Sequence, residues 1–241
     1  MNITKDTIIG ELVANDYRAA SVFKKQKIDF CCQGNRSIGD ACLERGIDQN
    51  DLLHDLQQAV SEKATTAFDY KSWPADLLAD YIEKKHHRYV EAKIQEILPY
   101  LDKVVRVHGG KHPELFEIQD LFKQSANELT THMKKEELVL FPHIRKMVQS
   151  NGNYVAAAFH TVQNPIEMMH HEHDTEGERF RKISYLTNGY QAPLDACNTF
   201  MVTYALLKEF EDDLHEHIHL ENNILFPTAL TMEENMGQCK I

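Results

Sequence analysis

Thr131-His132-Met133-Lys134-Lys135-Glu136-Glu137-Leu138-Val139-Leu140-Phe141-Pro142 returns, in most of its pattern, as His217-Ile218-His219-Leu220-Glu221-Asn222-Asn223-Ile224-Leu225-Phe226-Pro227. Both copies run His-x3-Glu, then four residues, then Phe-Pro. Residues four apart on a helix share a face, with β-carbons about 5–6 Å apart, so each copy offers an imidazole and a carboxylate to the same place. Two such helices facing each other can hold a pair of ions. An internal repeat of this kind bears on architecture as well as chemistry.

The flanking residues make both copies parts of long amphipathic helices. Around the first, Ile118, Phe122, Ser125, Leu129, His132, Glu136, Val139 and His143 alternate by three and four. Around the second, Leu207, Phe210, Leu214, His217, Glu221 and Ile224 do the same. A helix is predicted from Pro74 to about His108, with His87, Ile94, Leu98, Leu101 and Val105 on one stripe and a bend at Pro99. Another is predicted from Asn164-Pro165, as N-cap and first-turn proline, with Ile166, Met169, His173, Phe180 and Ile183 facing inward. Breaks fall at Gly109-Gly110, at 150–153, and at Gly189 and Pro193. The fold class is therefore all-α, an up-down four-helix bundle, which builds metal sites from inward side chains on facing helices.

The repeat is wider than its motif. His87 precedes His132 by 45 residues, and His173 precedes His217 by 44. His87 lies 22 residues before Gly109 and His132 lies 22 after Gly110, so the two are level across the turn at about 1.5 Å of rise per residue. His108 shares the stripe of His87 but would stand about 31 Å further along a straight helix, outside the same site. Any one buried histidine is ordinarily a hydrogen-bonded core residue. Six polar side chains on four apolar stripes are a different matter, because unpaired charge in a bundle core must be neutralised or bound to metal. His87, His132, Glu136, His173, His217 and Glu221 form a set suited to two iron or manganese ions, and iron is favoured; all-oxygen magnesium or calcium sites would not use four imidazoles.

Ahead of the bundle, residues 1–60 read as a small helical domain, and 61–73 as a polar linker before the bundle at 74–241. Three short helices are expected: one from Asp6 or Thr7 through Phe23, one after Ser37 ending at Gly46, and one capped by Asp48 or Asn50. The turn between the first two carries Cys31-Cys32-Gln33-Gly34. The two thiols either bind metal or pass electrons, or are small buried residues, and the residues alone leave both readings open. Cys42, Cys197 and Cys239 read as packing or tail residues.

Composition narrows the function classes. With 26 Lys+Arg against 37 Asp+Glu the chain carries a formal charge of −11, which argues against a nucleic-acid or anionic-membrane partner. No apolar run approaches the roughly 20 residues that span a bilayer, and the N-terminal segment lacks a basic flank followed by an apolar stretch. Five cysteines without an even framework fit a reducing compartment, so a cytoplasmic setting is expected. The oligomeric state is left open, a dimer included.

His215-Glu216-His217-Ile218-His219 also matches His-Glu-x-x-His, the zinc-protease motif, with His215 and His219 as ligands and Glu216 as base. Those two histidines fall beside Glu211 and Asp212 on the polar face, and the earlier copy has no counterpart to them, so the match is taken as accidental. The pairs Glu83/His86, Glu167/His170 and Glu216/His219 have ferritin-like spacing but lie off the stripes.

The segments IGELVANDYRAASVFKKQKIDFCCQGNRSIGDAC, HHRYV, VHGGKHPEL, HMKKEELVLFP, HEHDTEGE and HIHLENNILFP together resemble the Repair of Iron Centres family (the YtfE/ScdA type) over nearly the whole chain. Cys31, Cys32 and Gly34 match the Cys-Cys-x-Gly turn of its N-terminal domain; Gln33 stands where a glycine is common, and the stretch between His132 and His173 is longer than usual. The resemblance implies a hemerythrin-like bundle with two non-haem irons, oxo-bridged when oxidised. It implies His87, His132, His173 and His217 as ligands and Glu136 and Glu221 as bridges, the six that spacing selects. It further implies repair of iron–sulfur clusters damaged by nitric oxide or peroxide, by iron donation and with nitric oxide reduction as a further activity. Damaged iron–sulfur proteins would be its partners, and nitric oxide or dioxygen its small ligands. The alternative is a hemerythrin-like reversible carrier or sensor of dioxygen or nitric oxide, which has no need of the Cys31–Cys32 domain.

Overall fold

The structure is a computed structural model and describes residues 3–61, 69–150, 152, 153, 155, 156 and 158–238. Among these the chain is helical, with one isolated antiparallel bridge between Ile8 and Ser37. No helix of the described residues is long and apolar enough to cross a membrane. Residues 62–68, most of the expected linker, lie outside the described residues.

The N-terminal part has four helices rather than three: α1 (Ile9–Asn15), α2 (Ala19–Lys25), α3 (Ile38–Arg45) and α4 (Gln49–Ser61). The expected first helix breaks because Asp16 adopts an extended backbone (φ −152°, ψ 99°) and its carboxylate accepts hydrogen bonds from the main-chain N–H and guanidinium of Arg18. The other signals act as expected. Ser37 Oγ accepts the Asp40 N–H at 3.1 Å, Gly46 closes α3 in the left-handed region (φ 65°), and Asp48 Oδ1 accepts the N–H groups of Asn50 and Asp51. Leu12, Phe23, Ile38 and Leu52 fill the small core between them.

Four long legs follow. The first joins α5 (Ala75–Tyr81) to α6 (Arg88–His108) through a π-helical turn, Ile82–His87. The second joins α7 (Glu114–Lys135) to α8 (Phe141–Gln149) through a second, Glu136–Leu140; the third is α9 (Gln163–Leu186). The fourth joins α10 (Asn198–Leu220) to α11 (Phe226–Gln238) through a third, Glu221–Leu225. Pro99 sits inside α6 without ending it, and His108 lies at the far end with Nε2 3.2 Å from Cys197 Sγ, away from the histidine layer. The third leg starts earlier than its Asn-Pro signal: Val162 donates its N–H to Glu233 of the last helix at 2.9 Å, so a neighbouring helix caps it.

The π turns also correct a core assignment. Val139, placed inward by unbroken three-four spacing, is 46% exposed, whereas Leu140, Phe141 and Ile144 are buried. A π turn holds one residue more than an α turn and advances the buried face by one position. Pro142 and Pro227 each follow such a turn, where the missing N–H and the ring of proline are accommodated by a ladder that is already open.

Two apolar layers result. One contains Phe122, Phe180 and Phe210, with Phe122 edge-on to Phe210 at 5.3 Å and Phe180 stacked on it at 5.5 Å. The other contains Leu140, Phe141, Ile144, Leu225 and Phe226. The polar residues of the repeat lie between these layers.

Candidate metal centre

His87, His132, Glu136, His173, His217 and Glu221 converge there, none more than 3% exposed. They form two overlapping groups, His87–Glu136–His217–Glu221 and His132–Glu136–His173–Glu221, each with its donor atoms within 4.8 Å of one another. Both carboxylates belong to both groups. Glu136 Oε2 stands 3.4 Å from His87 Nε2 and 3.3 Å from His132 Nε2. Glu221 divides its oxygens, Oε1 lying 3.1 Å from His217 Nε2 and Oε2 3.2 Å from His173 Nε2.

The rings are aimed by groups outside the centre. His87 Nδ1 meets Glu137 Oε1, His132 Nδ1 meets Glu172 Oε2 and His173 Nδ1 meets Asn222 Oδ1, each at 2.8 Å. With Nδ1–H so engaged, the lone pair of each neutral ring is on Nε2 and points to the centre. The repeat supplies two of these partners, since Glu137 and Asn222 each follow a shared glutamate. It also supplies the lids: Phe141 stacks on His87 (5.6 Å) and Phe226 on His173 (6.0 Å). The Phe of each Phe-Pro thus covers an imidazole on the preceding leg.

Whether a metal fits can be judged from polar atoms left without partners. Among the described residues neither oxygen of Glu136 completes a hydrogen bond, and neither do Glu221 Oε2 nor His87 Nε2, although all are buried. His132 Nε2 and His173 Nε2 face each other at 3.1 Å, an approach that needs a proton or a cation between two lone pairs. Without a metal the charges answer one another. Burial pulls the His132 pKa down, but Glu136 and Glu172 outweigh it and lift it to about 10. Burial and Glu221 push Glu136 up, and His132 and His87 outweigh them and bring it below the usual carboxylate range. Glu221 is likewise lowered, against burial, by His217 and His173. Each group offers two imidazole nitrogens and two carboxylate oxygens, a sulfur-free set that suits iron or manganese and falls short of six donors.

His215 and His219 are not on a solvated face, as the sequence suggested. His219 is 1% exposed and His215 partly buried, and their rings lie 5.8 and 6.1 Å from Phe30 of the turn between α2 and α3. Burial holds His219 neutral, down to about 3, and contributes most to lowering His215 to about 4. Among the described residues neither joins a cluster able to hold a metal. Glu216 pairs with Lys85, and Glu83 with Arg145. His86 is buried beside its neighbour but turns to Asp213 Oδ1 at 3.1 Å and stacks on His217.

Cys31 and Cys32 are free thiols with their sulfurs 3.7 Å apart. Asp29 Oδ1 accepts the N–H groups of Cys31, Cys32 and Gln33, which shapes the turn, and Asp29 Oδ2 meets Arg181 of the third leg at 2.8 Å. Asp29, Cys31 and Cys32 form a third cluster of metal-compatible donors. Hydrogen bonding to Cys32, burial and the Asp29 charge hold the Cys31 thiol well above its usual pKa.

Comparison with known proteins agrees with this arrangement. A model of the Hemerythrin HHE cation binding domain matches residues 78–229, and the ScdA N-terminal model, a domain of unknown function, matches residues 5–60. The iron-sulfur cluster repair protein ScdA of Staphylococcus haemolyticus is 32% identical over 224 residues, 93% of this chain and 98% of the relative. The iron-sulfur cluster repair protein YtfE of Pectobacterium atrosepticum is 36% identical over 230 residues, 95% and 99% of the two chains. The chain belongs to the ScdA/YtfE family. Within it, this member carries a hemerythrin-type cation-binding bundle behind a Cys-Cys domain, as the sequence motifs imply.

Sequence reasoning missed the three outer partners Glu137, Glu172 and Asn222. Each is polar and adjacent to a candidate ligand or shared glutamate. That adjacency was the available signal.

Proposed function

We propose that this protein repairs damaged iron–sulfur clusters by holding two iron ions between His87, His132, Glu136, His173, His217 and Glu221 and donating iron to the damaged protein. The observation that carries this reading is the sharing of Glu136 and Glu221 between two four-residue groups, which suits a pair of ions rather than one. Nitrogen and oxygen ligation releases iron more readily than a thiolate cage does, and a donor set short of six would leave bound iron open to nitric oxide or dioxygen. The chain's own residues do the rest: Glu137, Glu172 and Asn222 orient three rings, and the Phe141 and Phe226 layer shields the ions. The adjacent free thiols of Cys31 and Cys32 support a reducing, cytoplasmic setting and a part for this turn in receiving iron or supplying electrons.

A cavity of about 370 Å³ reaches His132 and His173 between Glu128, Lys135 and Glu172. It favours a second reading, access for a diatomic ligand, with nitric oxide reduction or reversible binding as the outcome. The test is metal analysis followed by incubation of the loaded protein with an iron–sulfur enzyme inactivated by peroxide. Two irons per chain and recovery of that enzyme with matching loss of iron are expected. Retention of both irons while dioxygen or nitric oxide binds reversibly would favour the carrier; a chain that binds no iron would overturn both readings.

A further inference from the structure

Residues 222 and 223 of the third π turn differ in kind from their counterparts in the repeat. Glu137 is a carboxylate, ion-paired with Arg88 as well as bonded to His87, and Leu138 is 76% exposed. Their counterparts are amides that reach the other domain. Asn222 Oδ1 accepts from His173 Nδ1 at 2.8 Å while its Nδ2 donates to the carbonyl of Cys31 at 3.2 Å. Asn223 Nδ2 lies 3.3 Å from the Phe30 carbonyl, the acceptor one residue earlier on the same strand of chain. A carboxylate at 222 could accept from His173 but could not donate to Cys31. The amide does both.

The turn grips His173 a second time. Cys32 Sγ donates to the His173 carbonyl at 3.3 Å, and Gly177, one helical turn on, lacks the β-carbon that would stand 3.1 Å from that sulfur. The dithiol turn therefore touches both the main chain of His173 and, through Asn222, its ring. No other ring of the four has such a link among the contacts described: Glu137 and Glu172 orient His87 and His132 from within the bundle, and His217 Nδ1 has no partner.

We propose that Asn222 is a positioning residue through which the Cys31–Cys32 turn sets how firmly His173, and with it the ion of the His132/His173 group, is held. The inference rests on the reading of the six residues as a two-ion site. It makes the two ions unequal: the one nearer the Cys-Cys domain is gated by that domain, and the His87/His217 ion is not. A ligand that spans the two sulfurs shifts the turn, withdraws both grips and loosens one ion. A cavity of about 470 Å³ lined by Asp29, Cys31, Arg181 and His215 reaches the first cysteine of the turn.

The test uses the full chain loaded with Co(II), and with Fe(II) in parallel. Exchangeable Nδ1–H resonances shifted by Co(II) are expected for the three partnered rings. In Asn222→Leu one of them is lost, and one of the two ions passes to a chelator about 10–100-fold faster, the range for loss of an outer partner of a ligand. Asn222→Asp keeps the acceptor for His173 and retains all three resonances, but it loses the donor to Cys31. Phenylarsine oxide, whose arsenic takes both thiol sulfurs with release of one water, speeds loss of one ion from the native chain. It does not do so in Asn222→Asp beyond what Cys32→Ala alone produces. Equal release of both ions in every variant, or three resonances and unchanged release in Asn222→Leu, overturns the coupling. Failure of the native chain to bind two ions instead overturns the site reading on which it rests.

Discussion

His132 and His173 bring their Nε2 atoms to 3.1 Å of each other in a layer where neither is more than 3% exposed. Their Nδ1 atoms are committed to Glu172 and Asn222, so the two inner nitrogens face each other, Glu136 and Glu221. A cation held by these residues would accept both lone pairs; without one, protons must separate the two nitrogens.

Metal removal should therefore make stability depend on pH in a way that loading does not. The folded pKa of His132 is raised from 6.5 to about 10, so in the metal-free chain its contribution is fully present below about 6.5 and is lost as pH rises through about 10. In the loaded chain the ion replaces that proton. Thermal unfolding after chelation is expected to fall in midpoint across this window, while the loaded protein stays flatter. Free metal at 100 times its dissociation constant should add about 2.7 kcal/mol. Parallel pH profiles with and without metal would refute this.

The shared carboxylates and the separate imidazoles should give different ion counts. Glu221→Leu removes a donor from both groups and is expected to bind neither ion at stoichiometric loading. His132→Leu touches one group and should retain the ion of His87 and His217. Metal analysis with circular dichroism checks both, and two ions retained in Glu221→Leu would refute a shared role.

Much of the arrangement was legible from spacing, because a bundle core is strict: a polar residue on an apolar stripe must have a reason, and His87, His132, Glu136, His173, His217 and Glu221 converge in one buried layer. Val139 was misplaced because a π turn is a property of the hydrogen-bond ladder, and three-four counting assumes an unbroken α ladder. His215 and His219 were misread for another reason. A face that is polar within one helix becomes buried when a second domain covers it, and helix periodicity carries no information about a neighbour supplied by residues 1–60. Asn222 was passed over because Cys31 and His173, which its amide joins, come from different parts of the chain.

His219 separates the covered face from the metal centre experimentally. Its Nδ1 lies 3.0 Å from Asn223 Nδ2, and its ring lies beside Tyr17 and Phe30. His219→Ala is expected to leave the ion count unchanged and to lower stability by about 0.5–3 kcal/mol through the lost contact with Asn223 and the space left beside Tyr17 and Phe30. Loss of metal in this variant would restore the zinc-motif reading of His215 and His219.

The domain contact has a steric test at Gly10. A β-carbon there would stand 2.3 Å from Asn223 Oδ1 and 3.1 Å from the Gly34 carbonyl, the group that receives the Gly10 N–H at 2.7 Å. Gly10→Ala must displace the Asn223 side chain or the α1 backbone, at about 1–3 kcal/mol as for other overpacked sites. Faster proteolysis of residues 1–60 with an intact bundle is the expected result; unchanged proteolysis would mean that the contact yields without strain.

Glu211 offers a pH test remote from the six candidate ligands. It lies in α10 beside Asp212, and burial together with that neighbouring charge raises its folded pKa from 4.5 to about 7. For an acid raised in this way the neutral form is favoured by folding. Its stabilising effect is present below about 4.5 and is lost as pH rises through about 7, where the folded chain must carry a poorly solvated carboxylate. Glu211→Gln removes the titration and keeps the shape. The variant should match the native chain at pH 4.5 and exceed it in unfolding midpoint above pH 7. An equal difference at both ends of the range would show that Glu211 contributes through packing rather than through its charge.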